Sequence, residues 1–250
     1  MNLDILPVRT GGAAENMAID FLLLQRYPPS PRHRGASPTE CARFRHYEWR
    51  GPAFTFGYSQ KIAAVRAALP TESTLDLCRR PTGGGIVDHR QDWTYALVIP
   101  RGHPLEDVRA THSYREVHAS MVTALQVQGV PALLKPTRDE PAEQLPDAGE
   151  ETAVCFQRAE LFDVVHATTG EKIAGAAQKR NKRGLLFQGS IWRPAVNTAV
   201  DWEKFHDDFA AQLGQLLGTT AESVPWPELN EDEVTGLTEQ YSSPEWLEYR

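Results

Sequence analysis

Apolar residues first recur at helical spacing over Ala13–Arg26 (AAENMAIDFLLLQR). Met17, Phe21 and Leu24 share one face there, and Ile19, Leu22 and Leu23 broaden it. Tyr27–Glu40, rich in Pro and Ser, reads as an exposed loop. Ala42–Trp49 alternates as a strand does and is followed by the turn Arg50-Gly51-Pro52; a helix is predicted over Gln60–Leu69, ended by Pro70. A short strand at Leu75–Cys78 runs into Arg79-Arg80-Pro81-Thr82-Gly83-Gly84-Gly85. Trp93–Ile99 (WTYALVI) is the strongest strand signal, closed by Pro100. Tyr114–Gln128 reads as a helix, and Pro136–Glu151, with its prolines and acids, as a mobile loop. A meander follows: Leu161–Ala167, Lys172–Gln178 and Leu185–Trp192, joined by Thr168-Thr169-Gly170 and a basic turn at Lys179–Gly184. Asp201–Leu217 is a helix with Asp201 as N-cap and Gly218 just past its end. Interleaved helices and strands with a hairpin-like middle predict an α/β chain of the α+β type, with mixed β-sheets packed against helices.

Composition narrows the function classes. At 250 residues, 41% hydrophobic and 24% charged, the chain has the make-up of a globular protein able to bury one large core or two modest ones. A net charge of -7 argues against nucleic acid as a general partner. No apolar run approaches a membrane span, and the first residues lack the basic start and long apolar stretch of a secretory signal. Cys41, Cys78 and Cys155 are odd in number and widely spaced, which disfavours disulfides or zinc and points to a reducing cytoplasm. The eight histidines show no metal-ligand spacing.

Three stretches carry candidate chemistry. Consecutive glycines after a strand serve where backbone must turn tightly or approach another group, and Gly83–Gly85 read equally well as a simple turn or as a cradle of N–H groups for an anion. Arg79 and Arg80 beside them offer fixed positive charge for such a ligand. Lys172 opens a segment of small residues, and taken alone is a solvated lysine at a hairpin entry. Cys155, taken alone, is a small buried apolar residue, as is Cys78. Lys179, Arg180, Lys182 and Arg183 crowd one turn, either as a solvated hairpin tip or as a patch for an acidic protein.

Arg79–His89, R-R-P-T-G-G-G-I-V-D-H, closely resembles the signature of lipoate–protein ligases and their acyltransferase relatives, the biotin/lipoate protein ligase catalytic domain superfamily. Asn16–Asp20 (NMAID), Phe56–Gln60 (FGYSQ), Lys172–Gln178 (KIAGAAQ), Gln188–Ile191 (QGSI) and Tyr241–Trp246 (YSSPEW) resemble further blocks of that family, in family order. One block departs: Gln91, Trp93 and Ala96 replace the usual glycine, leucine and serine, while Asp92 and Tyr95 are kept, so the acyl tunnel is expected to be reshaped there.

The resemblance implies an acyl-binding site formed by Arg79, Arg80, Thr82, Gly83, Gly84, Gly85, His89, Gly175, Ala176 and Gly189, with Lys172 acting on the acyl carbonyl or phosphate. Ala153-Val154-Cys155-Phe156 is similar to the cysteine-dependent octanoyltransferases and lipoyl amidotransferases, where ligases carry R-N-D; this implies Cys155 as the nucleophile of an acyl-thioester. The reading is one catalytic domain over 1–250, helical over 201–250, without the large accessory domain of the ligases. It implies transfer of an octanoyl or lipoyl group without a cofactor. The donor is acyl carrier protein or lipoylated H-protein, and the acceptor a lipoyl domain of a 2-oxoacid dehydrogenase E2 subunit or of the glycine cleavage H-protein. The alternatives are an ATP- and Mg-dependent lipoate–protein ligase and a non-catalytic acyl- or cofactor-binding protein.

Overall fold

The computed structural model describes residues 2–26, 41–70, 75–137 and 158–249. Its centre is an eight-stranded mixed sheet. In spatial order the strands are β11 (Ala221–Ser223), β1 (Asn2–Gly11), β2 (Cys41–Trp49), β6 (Asp92–Pro100), β10 (Gly184–Trp192), β9 (Lys172–Asn181), β8 (Val164–His166) and β7 (Ala132–Leu134). β1 pairs in parallel with both β11 and β2; the pairs from β2 to β7 are antiparallel. A smaller sheet holds β3 (Ala53–Phe56) between β4 (Asp76–Arg79) and β5 (Ile86–Asp88). The predicted mixed-sheet α/β class is the one observed.

Both faces of the large sheet are covered, which explains why β6 reads as an unbroken apolar run. Trp93, Tyr95, Leu97 and Ile99 face one core, shared with Val117, Met121 and Leu125 of α4 (Ala110–Val127) and Phe205, Phe209 and Leu213 of α5 (Trp202–Leu216). Ala96 and Val98 face the other, shared with Met17, Leu23 and Leu24 of α1 (Ala13–Arg26) and Tyr241 of α6 (Glu231–Ser242). α1 has the predicted bounds, and α5 starts as expected, the Asp201 side chain accepting a hydrogen bond from Lys204 N at 3.1 Å. Gly218 follows it at φ 66°, a left-handed position that suits glycine.

Three expectations are revised. Residues 201–250 are helical but also supply β11 at the sheet edge. β1 has no counterpart in the sequence reading. The basic turn shrinks, because β9 continues to Asn181 and only Lys182-Arg183 form the tip. Lys179 Nζ instead donates to Pro81 O at 3.2 Å, and Arg180 to Glu106 O and Ser113 Oγ at 3.1 and 2.7 Å. Four cations in one solvated turn is therefore corrected to two. The candidate loops Tyr27–Glu40 and, from residue 138 onward, Pro136–Glu151 lie outside the described residues, as does Cys155.

Candidate active site

The glycine loop is built between β4 and β5 and is braced by the two arginines that precede it. Arg80 NH1 donates to Thr55 Oγ1 at 2.8 Å, and its NH2 donates to the Gly83 and Gly85 carbonyls at 2.8 and 2.9 Å. Arg79 is fully buried and holds the carbonyls of Tyr58, Gln60, Trp246 and Leu247 at 2.6 to 3.0 Å. It therefore ties the segment after Gly57 and α7 (Pro244–Leu247) to β4. Arg79 acts here as a brace for backbone and does not line the cavity described next, contrary to its expected place among ligand contacts.

That cavity lies on the α1 face of the large sheet and is a narrow, partly open space of about 40 Å³ with a mostly apolar lining. Of the expected site residues it is lined by Arg80, Gly84, His89, Gly175, Ala176 and Gly189. Met17, Tyr47, Thr55, Val87, Thr94, Ala177, Gln188 and Ser190 complete the wall. Thr82 stands just behind, its hydroxyl donating to Gln188 Oε1 at 2.8 Å, while Gln188 Nε2 donates to Asp20 Oδ2 at 2.7 Å. Asp20 is itself buried against Arg45 at 2.7 Å. Loop, β10 and α1 are thus connected by one chain of buried polar groups.

A second polar network lies under His89. Its Nδ1 is 2.6 Å from Asp92 Oδ2, and its Nε2 is 2.7 Å from Thr55 Oγ1, the hydroxyl that also accepts from Arg80. Trp49 stacks on the imidazole at 4.0 Å and donates to Thr94 Oγ1 at 2.9 Å. Asp92 also accepts from the hydroxyls of Thr94 and Ser190. Burial alone would raise the Asp92 carboxyl, but the charge and hydrogen bond of His89 with those two hydroxyls hold it below the usual carboxylate range.

Lys172 is buried at the start of β9 and forms an ion pair with Asp163, Nζ to Oδ2 2.8 Å. Gly175 makes room for this pair: a Cβ there would meet Lys172 Cε at 2.8 Å, Nζ at 2.9 Å and Asp163 Oδ1 at 3.2 Å. The ammonium therefore lies directly against a glycine that lines the cavity. Cys78 and Cys41 are buried and burial pushes both thiols up, which suits the reading of Cys78 as a core residue.

The departures in the β6 block do not form the cavity wall. Trp93 points to the other face, stacked on His46 at 4.4 Å and packed edge-on against Phe205 at 5.0 Å. Ala96 lies in the α1 core, and Gln91 is exposed beside a separate surface depression. The expectation that these three reshape the tunnel is therefore corrected: they repack the core and the surface around it.

The family model of the lipoyl protein ligase A/B catalytic domain matches residues 12–239. The chain belongs to this family. Among curated relatives it is similar to octanoyltransferase LipM of Anoxybacillus flavithermus, 31% identical over 179 residues, covering 71% of this chain and 60% of that protein. It is 30% identical over 202 residues to LipM of Bacillus cereus, covering 78% and 65%, so the matches to these two span less than two thirds of the relatives' length. With LipM of Symbiobacterium thermophilum it shares 29% identity over 93% of each chain. Among solved structures, a Thermoplasma acidophilum protein with bound lipoic acid superposes with TM-score 0.70 at 19% identity, over 100% of both chains. Lipoate-protein ligase A bound with ATP superposes at 0.65 and 17% identity, over 99% and 98%. These two establish the fold as lipoate ligase-like.

The sequence reading missed Thr55, Tyr47, Asp163 and Tyr114. Gln188 and Ser190 stood inside a recognised block and carried a signal, since polar residues at alternate positions of an otherwise apolar strand mark a polar patch on one face. Among the described residues, no cluster of three or more His, Cys, Asp or Glu is arranged to hold a metal ion, and no helix is long and apolar enough to cross a membrane.

Proposed function

We propose that the protein is an acyltransferase of protein lipoylation, moving an octanoyl or lipoyl group through a thioester on Cys155. The cavity carries the reading: a narrow, largely apolar space, closed by the glycine loop, with a buried lysine against its wall. An apolar acyl chain suits an apolar wall, and an ammonium held behind Gly175 would favour negative charge developing on an acyl carbonyl bound there. The likeness to octanoyltransferases over most of this chain supports transfer.

In the first half-reaction the Cys155 thiolate attacks the carbonyl of an acyl-carrier thioester. The new C–S bond forms, the carrier C–S bond breaks, and the carrier thiolate takes up a proton. In the second, the free amine of a lipoyl-domain lysine attacks the acyl-enzyme; a C–N bond forms, the Cys155 C–S bond breaks, and the amine proton passes to the departing sulfur. Lys172 and the N–H groups of Gly83–Gly85 stabilise both tetrahedral oxyanions. The energy of the thioester is retained in the first step, so nucleotide is not required. The proposed donors are acyl carrier protein, through its thioester, or lipoylated H-protein, where the lysine amide C–N bond breaks instead and the departing amine nitrogen takes up the proton. Lipoyl domains are the proposed acceptors, a choice supported by a ligase of the same fold solved as a bi-partite enzyme with its E2 lipoyl domain.

Incubation with octanoyl-acyl carrier protein, read by intact mass, tests this. The expected product is one octanoyl adduct that Cys155→Ser abolishes while leaving the fold intact. Adenylate formed from free octanoate and ATP, with no adduct, would make the protein a ligase. Neither product would leave an acyl-binding protein.

A further inference from the structure

The ion pair beside the cavity is held by a chain of contacts that begins on α4. Tyr114 and His118 sit one turn apart on that helix and therefore share a face. His118 Nδ1 lies 2.7 Å from the Phe162 carbonyl, and Phe162 N donates to Lys135 O at 3.0 Å. These contacts pin Phe162 at φ 67°, a left-handed backbone that a phenylalanine adopts only when its surroundings hold it there. The pinned turn aims the next side chain, Asp163, inward. Its Oδ2 accepts from Glu160 N at 2.6 Å and pairs with Lys172 Nζ at 2.8 Å; its Oδ1 accepts the Tyr114 hydroxyl proton. The same Tyr114 oxygen accepts the Ala176 N–H at 3.0 Å, and Ala176 lines the cavity.

We infer that Asp163 is the positioning residue for Lys172, and that Tyr114 couples this ion pair to the strand that walls the acyl cavity; the inference rests on the acyl-transfer reading above. Two physical needs converge on Asp163. A buried ammonium without an anion is costly and tends to lose its proton, and a four-carbon stem without an anchor has many rotamers. The carboxylate answers both. Asp163 itself does not line the cavity. Its effect therefore passes through the charge and place of Lys172, on the chemical step and not on carrier docking.

The full-length Asp163→Asn and Tyr114→Phe variants are assayed beside the wild type with octanoyl-acyl carrier protein, after confirming fold by circular dichroism, together with Lys172→Ala and the Lys172→Ala/Asp163→Asn double variant. Asp163→Asn is expected to lower kcat by at least about tenfold with carrier KM changed by less than about threefold, the pattern of a lost transition-state contact. In the Lys172→Ala background the same substitution should cost no further kcat, because its effect runs through the ammonium. Tyr114→Phe keeps the carboxylate, so it should lower kcat less. If Asp163→Asn does not fold, Asp163→Glu decides: the charge is retained but displaced, so kcat should fall, and a wild-type kcat overturns the inference. Additive losses in the double variant, or a loss confined to KM, overturn it as well. A wild type that forms no octanoyl adduct overturns the acyl-transfer reading and this inference together, whereas a transferring wild type with an indifferent Asp163→Asn overturns this inference alone.

Discussion

Gly57 and Gly84 meet backbone to backbone: a Cβ on Gly57 would lie 1.9 Å from the Gly84 carbonyl oxygen. Two segments far apart in their motifs are thus fitted against each other at a distance that admits only hydrogen. Tyr58 N, the next residue, donates to Thr82 O at 2.8 Å, so the contact sets the height of the whole glycine loop. Gly57→Ala is expected to displace the loop, costing about 1–3 kcal/mol of stability as overpacking does. Octanoyl-adduct formation should fall further than that stability loss explains. Thermal unfolding and single-turnover mass spectrometry measure the two effects separately. Gly83→Ala is the control, because a Cβ there meets nothing within 4 Å; it should melt as the wild type does.

Gly175 makes the second steric prediction. Alanine there would press on the Lys172 stem at 2.8 Å and must push the ammonium off Asp163 or off the cavity wall. Gly175→Ala and Lys172→Ala should therefore share one kinetic pattern, a lower kcat with a nearly unchanged carrier KM. A normal kcat in Gly175→Ala would mean that the ion pair has room to move without consequence.

These glycines explain how much the chain disclosed by itself. The glycine run and K-I-A-G-A-A-Q were legible as places of close approach, and six of the expected residues do line one cavity. What they approach was not legible, because Asp163 reaches Lys172 from just before β8, 9 positions away, and Tyr114 reaches Asp163 from a helix, at 49 positions' remove. Arg79 misled for a related reason: its charge is satisfied by four carbonyls, two of them contributed by the C-terminal segment. β1 escaped notice because Pro7 and the polar run Arg9–Gly12 disguise a strand whose register breaks between Leu6 and Arg9. Pattern reads faces well; it does not read partners across a sheet.

Buried histidines give a pH prediction. Burial lowers His46 to about 4, with Thr94 O accepting from Nδ1 at 2.7 Å, and burial lowers His118 as well. A histidine whose folded value lies below its unfolded one binds more protons when unfolded, so stability falls as pH drops below about 6.5 and continues falling to about 4. The His46 contribution to that fall is at most about 3 kcal/mol from the size of the shift. His46→Phe, which keeps an aromatic ring against Trp93, should flatten the decline in unfolding free energy between pH 6.5 and 4. An unchanged slope in denaturant titrations would remove His46 as its cause.

The hairpin tip provides the last test, and the structure has narrowed it. Lys182 and Arg183 are the exposed cations of the β9–β10 turn, whereas Lys179 and Arg180 bond inward to Pro81, Glu106 and Ser113. Exposed charges act on a partner mainly through long-range attraction, screened over about 8 Å at physiological salt. If the tip receives an acidic carrier, Lys182→Glu with Arg183→Glu should slow association several-fold and weaken its salt dependence, with thermal stability unchanged. Arg180→Glu should behave differently, since it breaks the contacts at 3.1 and 2.7 Å that tie β9 to Glu106 and to Ser113 in the first turn of α4; the loss there is in melting temperature as well as rate. Transfer from octanoyl-coenzyme A to Cys155 requires no protein surface to dock, so the tip double variant should leave it intact. Equal losses with the small donor and with the carrier would place the tip within the active site's own support, and docking would have to be sought on another face.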